Sequence, residues 1–430
     1  MAKTNKRSKP KTTSTLVSSN QIILVLIAVI FFYISIDQRI GYRVKEQNLF
    51  DSFDGPFAEN NDLFEAEKIF VGILPGPESL ARYKDKLYTG TADGRIIRIE
   101  GSDKLSTVVQ FGPDSCNGQL NNATCGRPLG VRVTSSGDLY TVDTFNGLVK
   151  VVNIDGKDKP KTKLLYDTHQ PVNGNRSMFL DDLVVDEKPD GNFIYMTDGS
   201  IIWNLHHVIH LVMSLDDSGR ILRYTESTGK VDVVVDNLAF PNGIELTDAK
   251  DALLIGEFCN HRILKHYLTG PKKGTTEVVI NLPGEPDNIR RSSRTDKETY
   301  WIAISAPRTK STPISYDFYT DKPKMRMFIL TSYRMIGSTL KFIGKMINNK
   351  GLIEKGESLR QLLSFWETHI RSMALEIDAA GNVLNCLHSN DGYIHSLSEI
   401  NDVIKENGER ILYIGSYANN FLGQLVLKAP

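Results

Sequence analysis

The sequence predicts an all-β protein: a six-bladed β-propeller that follows an N-terminal transmembrane helix and is broken once by a helical insertion. Three observations predict it. Short apolar runs are punctuated by Gly, Asp and Asn turns, a unit recurs about every fifty residues, and one uncharged apolar stretch lies near the amino terminus. The charge balance limits the partners. Lys plus Arg and Asp plus Glu each total 51 in 430 residues, leaving no cationic surplus to neutralise phosphates, which argues against a nucleic-acid partner. Four Cys are too few for a disulfide-built scaffold.

The chain begins with a basic tail, 1–15, which carries Lys3, Lys6, Arg7, Lys9 and Lys11 and no acid. Residues 16–36 follow, and Ile22 to Ile34 of this stretch bears no charge. As a helix it reaches roughly 30 Å, one hydrocarbon thickness. Basic residues before it place the tail in the cytosol and the rest of the chain in the lumen or outside, a single-pass type II arrangement. A cleaved signal peptide is the alternative, but no small-x-small site follows. Residues 37–66 read as a polar stalk. Asn122 and Asn175 head glycosylation triplets, which suits a lumenal body. Cys116 and Cys125 flank a short polar loop and either close a small ring there or remain two loop thiols. Cys259 and Cys386 sit in apolar strand-like runs and read as buried small hydrophobes.

From about residue 67 to 430 the runs LYTGTADGRIIRI, LYTVDTFNGLVKVV, LLIGEFCNHRILKHYL and LYIGSYANNFLGQLVL read as strand, turn, strand. Each blade opens on a first strand, at Pro77, Pro128, Leu180, Pro241, Pro286 and Ser398. The steps are about 51, 52, 61, 45 and 112 residues, and the last shrinks to one blade once an interruption near 308–372 is removed. A strand near Lys68 to Gly72 completes the sixth blade and closes the ring. In the interruption Met325, Phe328, Ile329, Ile336, Leu340, Ile343 and Ile347 recur at helical spacing among Lys and Arg. It reads as a lid over one propeller face or as a second contact with the membrane. Ile201 to Met213 reads as a rim helix.

The first strands offer Glu78, Asp181, Asn242 and Asp287 from four blades. Pro-Asn-Gly or an Asp pair alone is a common turn, but here the oxygen ligand recurs at one place in successive blades. Such positions converge at one end of a propeller channel. Three carboxylates and an amide would repel without a cation, and all-oxygen ligation selects Ca2+ over softer ions. Asp182 and Asn288 join the shell or orient it. The chain has no Gly-x-Ser-x-Gly elbow, His-Glu-x-x-His, phosphate loop or dinucleotide fingerprint. His206 and His210, four apart without a third ligand, read as rim packing.

GPES at 76–79, CGRPLGVR at 125–132, FPNGIEL at 240–246, LPGEPDNIRRSS at 282–293, YWIA at 300–303 and LYIGS at 412–416 resemble the strictosidine synthase-like family, in its animal, membrane-associated branch. The resemblance implies a six-bladed propeller related to paraoxonases, gluconolactonases and diisopropylfluorophosphatases, with a central calcium held by Glu, Asn, Asn and Asp. Those roles fall on Glu78, Asp181, Asn242 and Asp287. Where the animal proteins usually have Asn-Asp this chain has Asp181-Asp182, so its site carries one more negative charge. Plant strictosidine synthase uses a glutamate on the sixth inner strand, and Glu399 is the nearest counterpart. The paraoxonase His dyad has none, since Asp143-Thr144 occupies that turn. The expectation is a calcium-dependent hydrolase of esters or lactones, aryl or lipophilic, with Asp287 as base or nucleophile and the 308–372 insertion shaping the pocket. A non-catalytic, membrane-anchored binding propeller with structural calcium is the alternative; amine–aldehyde condensation through Glu399 is a further one.

Overall fold

The computed structural model describes residues 49–427, apart from 102, 114, 117–122, 157 and 362–370. The basic tail, the expected transmembrane stretch 16–36, the start of the expected stalk and Asn122 lie outside the described residues. Among the described residues no helix is long and apolar enough to cross a membrane. Met327–Arg360 forms one compact unit, and the described parts of Arg39–Arg326 with Gln361–Pro430 form the other.

The larger unit holds six antiparallel sheets of four strands. β1 (Glu67–Ile69) is followed by blade one, β2 (Leu80–Tyr83), β3 (Lys86–Gly90), β4 (Arg95–Glu100) and β5 (Lys104–Gln110). Blade two is β6 (Pro128–Val133), β7 (Leu139–Asp143), β8 (Gly147–Val152) and β9 (Lys161–Asp167). Blade three is β10 (Leu180–Asp186), β11 (Phe193–Asp198), β12 (Gly219–Thr225) and β13 (Lys230–Leu238). Blade four is β14 (Pro241–Leu246), β15 (Ala252–Glu257), β16 (Arg262–Tyr267) and β17 (Thr276–Asn281). Blade five is β18 (Pro286–Arg291), β19 (Thr299–Ile304), β20 (Ser372–Asp378) and β21 (Val383–Ser389). β22 (Leu397–Ile404), β23 (Arg410–Ser416) and β24 (Leu422–Leu427) make the sixth blade, and β1 completes it by pairing Lys68 with Gly423. This closure hides the backbone edge that a three-stranded last blade would expose.

The blades stack face to face, and this explains the sequence of their second strands. β7, β15 and β19 (LYTVD, ALLIGE, TYWIAI) are buried along their whole length, so they show continuous runs rather than alternation. The core lies in the gaps between blades. Tyr140 and Leu148 pack with Leu183 and Met196 between blades two and three, and Tyr195 and Ile221 with Ile244 and Leu264 between three and four. The first strands pack side by side around the axis, β2, β6, β10, β14, β18 and β22 in turn. Close approach there requires glycine at Gly243, where a Cβ would lie 2.5 Å from the Asp287 carbonyl oxygen and 2.5 Å from the Ile289 nitrogen.

The later part of the expected stalk is not free of the propeller. Phe57, Leu63 and Ala66 are buried, Asn60 bonds to the Cys386 carbonyl at 2.7 Å and the His388 N–H at 2.8 Å in blade five, and Leu63 and Ala66 share a core cluster with Leu397 and Leu412 of blade six. Three apolar side chains in a short stretch make its burial favourable. The expected rim helix is shorter than Ile201–Met213. α1 (Val208–Ser214) follows a 3-10 turn, because Ser200 Oγ accepts the N–H groups of Ile202 and Trp203 and holds the chain in a turn first. The insertion falls between β19 and β20. Its first part is pinned to the larger unit: Arg308 bonds to Asp317 at 3.0 Å, pairs with Glu285 and meets His261 at 3.0 Å, while Tyr316 donates to the Val212 carbonyl. Then come α2 (Pro323–Met346) and α3 (Lys350–Gln361).

Candidate metal centre

Each ligand candidate is the second residue of a repeated tripeptide at an inner-strand start: Pro-Glu78-Ser, Leu-Asp181-Asp, Pro-Asn242-Gly, Pro-Asp287-Asn. In β6, β10, β14 and β18 the ladder slips one residue straight after the first pair; Pro241 faces Glu257, but Ile244 faces Ile255. This bulge leaves two consecutive residues unpaired with the next strand, which frees both to turn toward the axis. The outcome is two stacked layers.

In the upper layer Glu78, Asp181, Asn242 and Asp287 all line one cavity of about 410 Å³, each at most 5% exposed. Asn288 Nδ2 donates to Glu78 Oε1 at 2.8 Å, and the Asn242 amide bonds to Asp287. Glu78 Oε2, Asn242 Oδ1 and Asn288 Oδ1 are buried acceptors without a hydrogen-bond partner among the described residues. Burial, and then Asp181, Glu399 and Asp182, push the Glu78 carboxyl well above its ordinary value, with Arg127 opposing. Burial, then Glu78, Asp181 and Asp182, do the same to Asp287. Asp181 is pushed up to about 8 by burial and then Asp182, against Arg127 and Arg290. Dehydrated carboxylates this close to one another are costly unless positive charge enters among them. Three orphaned acceptors and three crowded carboxyls, all oxygen, suit a hard divalent cation. Among the described residues no three His, Cys, Asp or Glu group closely enough to hold a metal ion by themselves, and the amides of Asn288 and Asn242 bond to Glu78 and Asp287.

The lower layer is an ion network with Arg290 at its centre. Its guanidinium bonds to both oxygens of Asp182 (2.7 and 3.0 Å) and to Ser79 Oγ (3.1 Å), and pairs with Glu399, so four blades meet on one cation. Burial opposes its charge, but Asp182 and Glu399 outweigh burial and raise its pKa further. Glu399 also accepts the Leu80 N–H at 2.9 Å and does not line the cavity. The ladder between β22 and β23 slips between Leu397 and Glu399, so the residue at ligand level in the sixth blade is Ser398, whose hydroxyl donates to the Glu78 carbonyl at 2.6 Å.

The cavity walls are apolar. Phe179, Phe240 and Phe258 form a row with ring centroids 5.2 and 4.7 Å apart, and Leu205, Val208 and Ile209 add the segment of α1. None of the described residues lining it comes from the 308–372 insertion, in which the apolar wall had been expected. Arg127, deeply buried, donates to the Gly76 carbonyl at 3.0 Å and lines the cavity too. Sequence reasoning passed over Arg127, Arg290 and the phenylalanines. A signal existed for two of them, since Phe179 and Phe240 each precede a ligand tripeptide. Elsewhere Cys116 and Cys125 are disulfide-bonded, Asn175 is exposed in a turn, Cys259 is buried and Cys386 half-buried. His206 stacks on Phe145 at 4.9 Å and His210 packs against Trp203.

A family model described as strictosidine synthase matches residues 181–271, and one described as strictosidine synthase-like, N-terminal, matches 55–99. Adipocyte plasma membrane-associated protein of Rattus norvegicus is 33% identical over 376 residues, spanning 87% of this chain and 89% of that protein. The human protein of that name is also 33% identical over 376 residues, with 87% and 81% covered. The chain belongs to the strictosidine synthase-like family. This strictosidine synthase-like protein shares its fold with a gluconolactonase of Xanthomonas campestris, at TM-score 0.50 and 11% identity, over 84% of this chain and 90% of that one. Glu78, Asp181 and Asn242 fall within the two family matches, and Asp287 lies beyond them.

Proposed function

We propose that this strictosidine synthase-like protein is a membrane-anchored, calcium-dependent hydrolase of esters or lactones with aryl or lipophilic groups. One observation carries the reading: the unsatisfied oxygens of Glu78 and Asn242, from two blades, belong to residues lining a cavity that is otherwise mostly aromatic and aliphatic, with Asp181, Asp287, Arg127, Asn419 and Asn420 as its other polar residues. Glu78, Asp181, Asn242 and Asp287 are the residues to hold Ca2+. When bound, the ion supplies polarisation of a carbonyl oxygen and charge stabilisation of the developing oxyanion. Asp287, held by the Asn242 amide, is the carboxylate placed to take a proton from water or to attack the acyl carbon itself. The phenylalanine row and the α1 segment bind the apolar part of the substrate and exclude water. Glu399 is engaged by Arg290 and the Leu80 N–H below the ligand layer, which leaves amine–aldehyde condensation without a free acid at that position. The relatives are named for the plasma membrane, and the Cys116–Cys125 disulfide agrees with a type II arrangement that sets the propeller, Asn122 and Asn175 included, in an oxidising compartment.

The test is hydrolysis of phenyl acetate by the purified full chain, with calcium and with chelator. Loss on chelation and with Asp287→Ala is expected. Hydrolysis that survives both refutes the mechanism. A binding propeller is the second reading, favoured by the four-blade ion network; it wins if no ester is cleaved while calcium raises the melting temperature.

A further inference from the structure

The basic helical pair is unused by the site. α2 and α3 meet through small residues: a Cβ on Gly337 would lie 2.5 Å from the Gly356 carbonyl oxygen, one on Gly356 2.6 Å from that of Gly337, and one on Gly344 2.9 Å from Ile353. Lys341 pairs with Glu357 on the same side. With that face committed, Ile336, Phe342, Ile343, Met346 and Ile347 stand 49, 63, 42, 72 and 60% exposed. At about 100° per residue these positions fall in one continuous arc away from Gly337 and Gly344. A helix that only served a protein core would turn this stripe inward; here the apolar stripe faces out.

Charge selects the occupant. Pro323–Met346 contains Lys324, Arg326, Arg334, Lys341 and Lys345 and not one Asp or Glu. Lys345 is exposed about 180° around the helix from Ile336, outside the apolar arc. A protein partner for a bare apolar stripe needs no such one-sided charge, whereas an acyl-chain boundary beneath anionic headgroups matches both halves of the helix. We propose that α2 lies in the interface of a lipid bilayer containing anionic lipid, with Ile336, Phe342, Ile343, Met346 and Ile347 at the acyl boundary and Lys345 at headgroup level. The helix is then a surface contact, separate from any membrane-spanning segment.

The experiment places an extra indole on each side of the helix in the full chain, by Ile336→Trp or by Lys345→Trp, and reconstitutes each variant in phosphatidylcholine vesicles with and without 30% phosphatidylserine, acyl chains brominated (roughly the anionic fraction that draws basic helices to a surface). After subtraction of the parent chain's emission, Ile336→Trp should be quenched at least about twofold more than Lys345→Trp, with the difference growing with phosphatidylserine and shrinking in high salt. Both positions are exposed, so the fold should tolerate either change. Equal quenching at the two positions overturns the proposal. So does protection of position 336 that follows protein concentration and ignores bromination, which would assign the face to a second copy of the chain.

Discussion

Arg290→Met removes the one cation shared by Asp182, Glu399 and Ser79 at the propeller axis. Asp182 retains Arg132 at 3.5 Å and the Ile244 N–H at 2.9 Å, but Glu399 retains as a hydrogen-bond partner the Leu80 N–H, with the charge of Arg132 acting on it as well. Both carboxylates are fully buried. Stranding a buried charge costs about 3–5 kcal/mol. Over roughly 360 residues the unfolding entropy is about 0.75 kcal/mol/K, so the melting temperature should drop by roughly 4–7 °C. Calorimetry with saturating calcium measures the change. Arg290→Met combined with Glu399→Gln should recover part of the loss, because the second change removes the stranded charge. Glu399→Gln alone should leave kcat for phenyl acetate within about threefold, as expected of a group outside the cavity. A drop under about 1 °C for Arg290→Met, or a double variant that loses the sum of the two single losses, refutes the network as a stabilising device. A hundredfold loss of kcat with Glu399→Gln refutes the assignment of Glu399 to structure.

Asp181→Asn lowers the charge of the ligand layer by one and should weaken calcium binding by roughly ten- to hundredfold in titration calorimetry; unchanged affinity removes Asp181 from the shell. Gly243→Ala sets a Cβ 2.5 Å from backbone atoms of Asp287 and Ile289, which no rotamer relieves, and should cost about 2–4 kcal/mol in thermal unfolding and loosen calcium binding together. Burial holds the His388 imidazole below its ordinary pKa, while the ring contacts the Phe57 carbonyl at 3.2 Å. The unfolded chain therefore takes up this proton first as pH falls. Stability is complete above the ordinary value of about 6.5 and is lost below it, and His388→Gln should flatten the fall in melting temperature between about pH 6.5 and 5 at saturating calcium. An unchanged pH profile places the titrating group elsewhere.

Much of the fold can be read from the chain because a propeller repeats one local pattern. The turn after each strand pair, the Pro-x-Gly or Leu-Asp-Asp start and the buried runs LYTVD and TYWIAI all reside within one blade, so blade order, closure by Lys68 and the quartet Glu78, Asp181, Asn242 and Asp287 follow from recurrence alone. Other features depend on residues far apart. Arg290 meets Asp182 and Ser79 across separations of 108 and 211 residues, and no periodicity marks which cation fills the axis. A single bulge between Leu397 and Glu399 decides that Ser398 reaches the ligand level while Glu399 sits beneath it. The source of the apolar wall is also a matter of three dimensions: the α1 segment of blade three lines the cavity, and no described residue of the insertion does. Local periodicity sets which strands form and which face they bury. The depth of a side chain along the channel, and the charge it meets there, depend on ladder register and on neighbouring blades, which only the closed ring brings together.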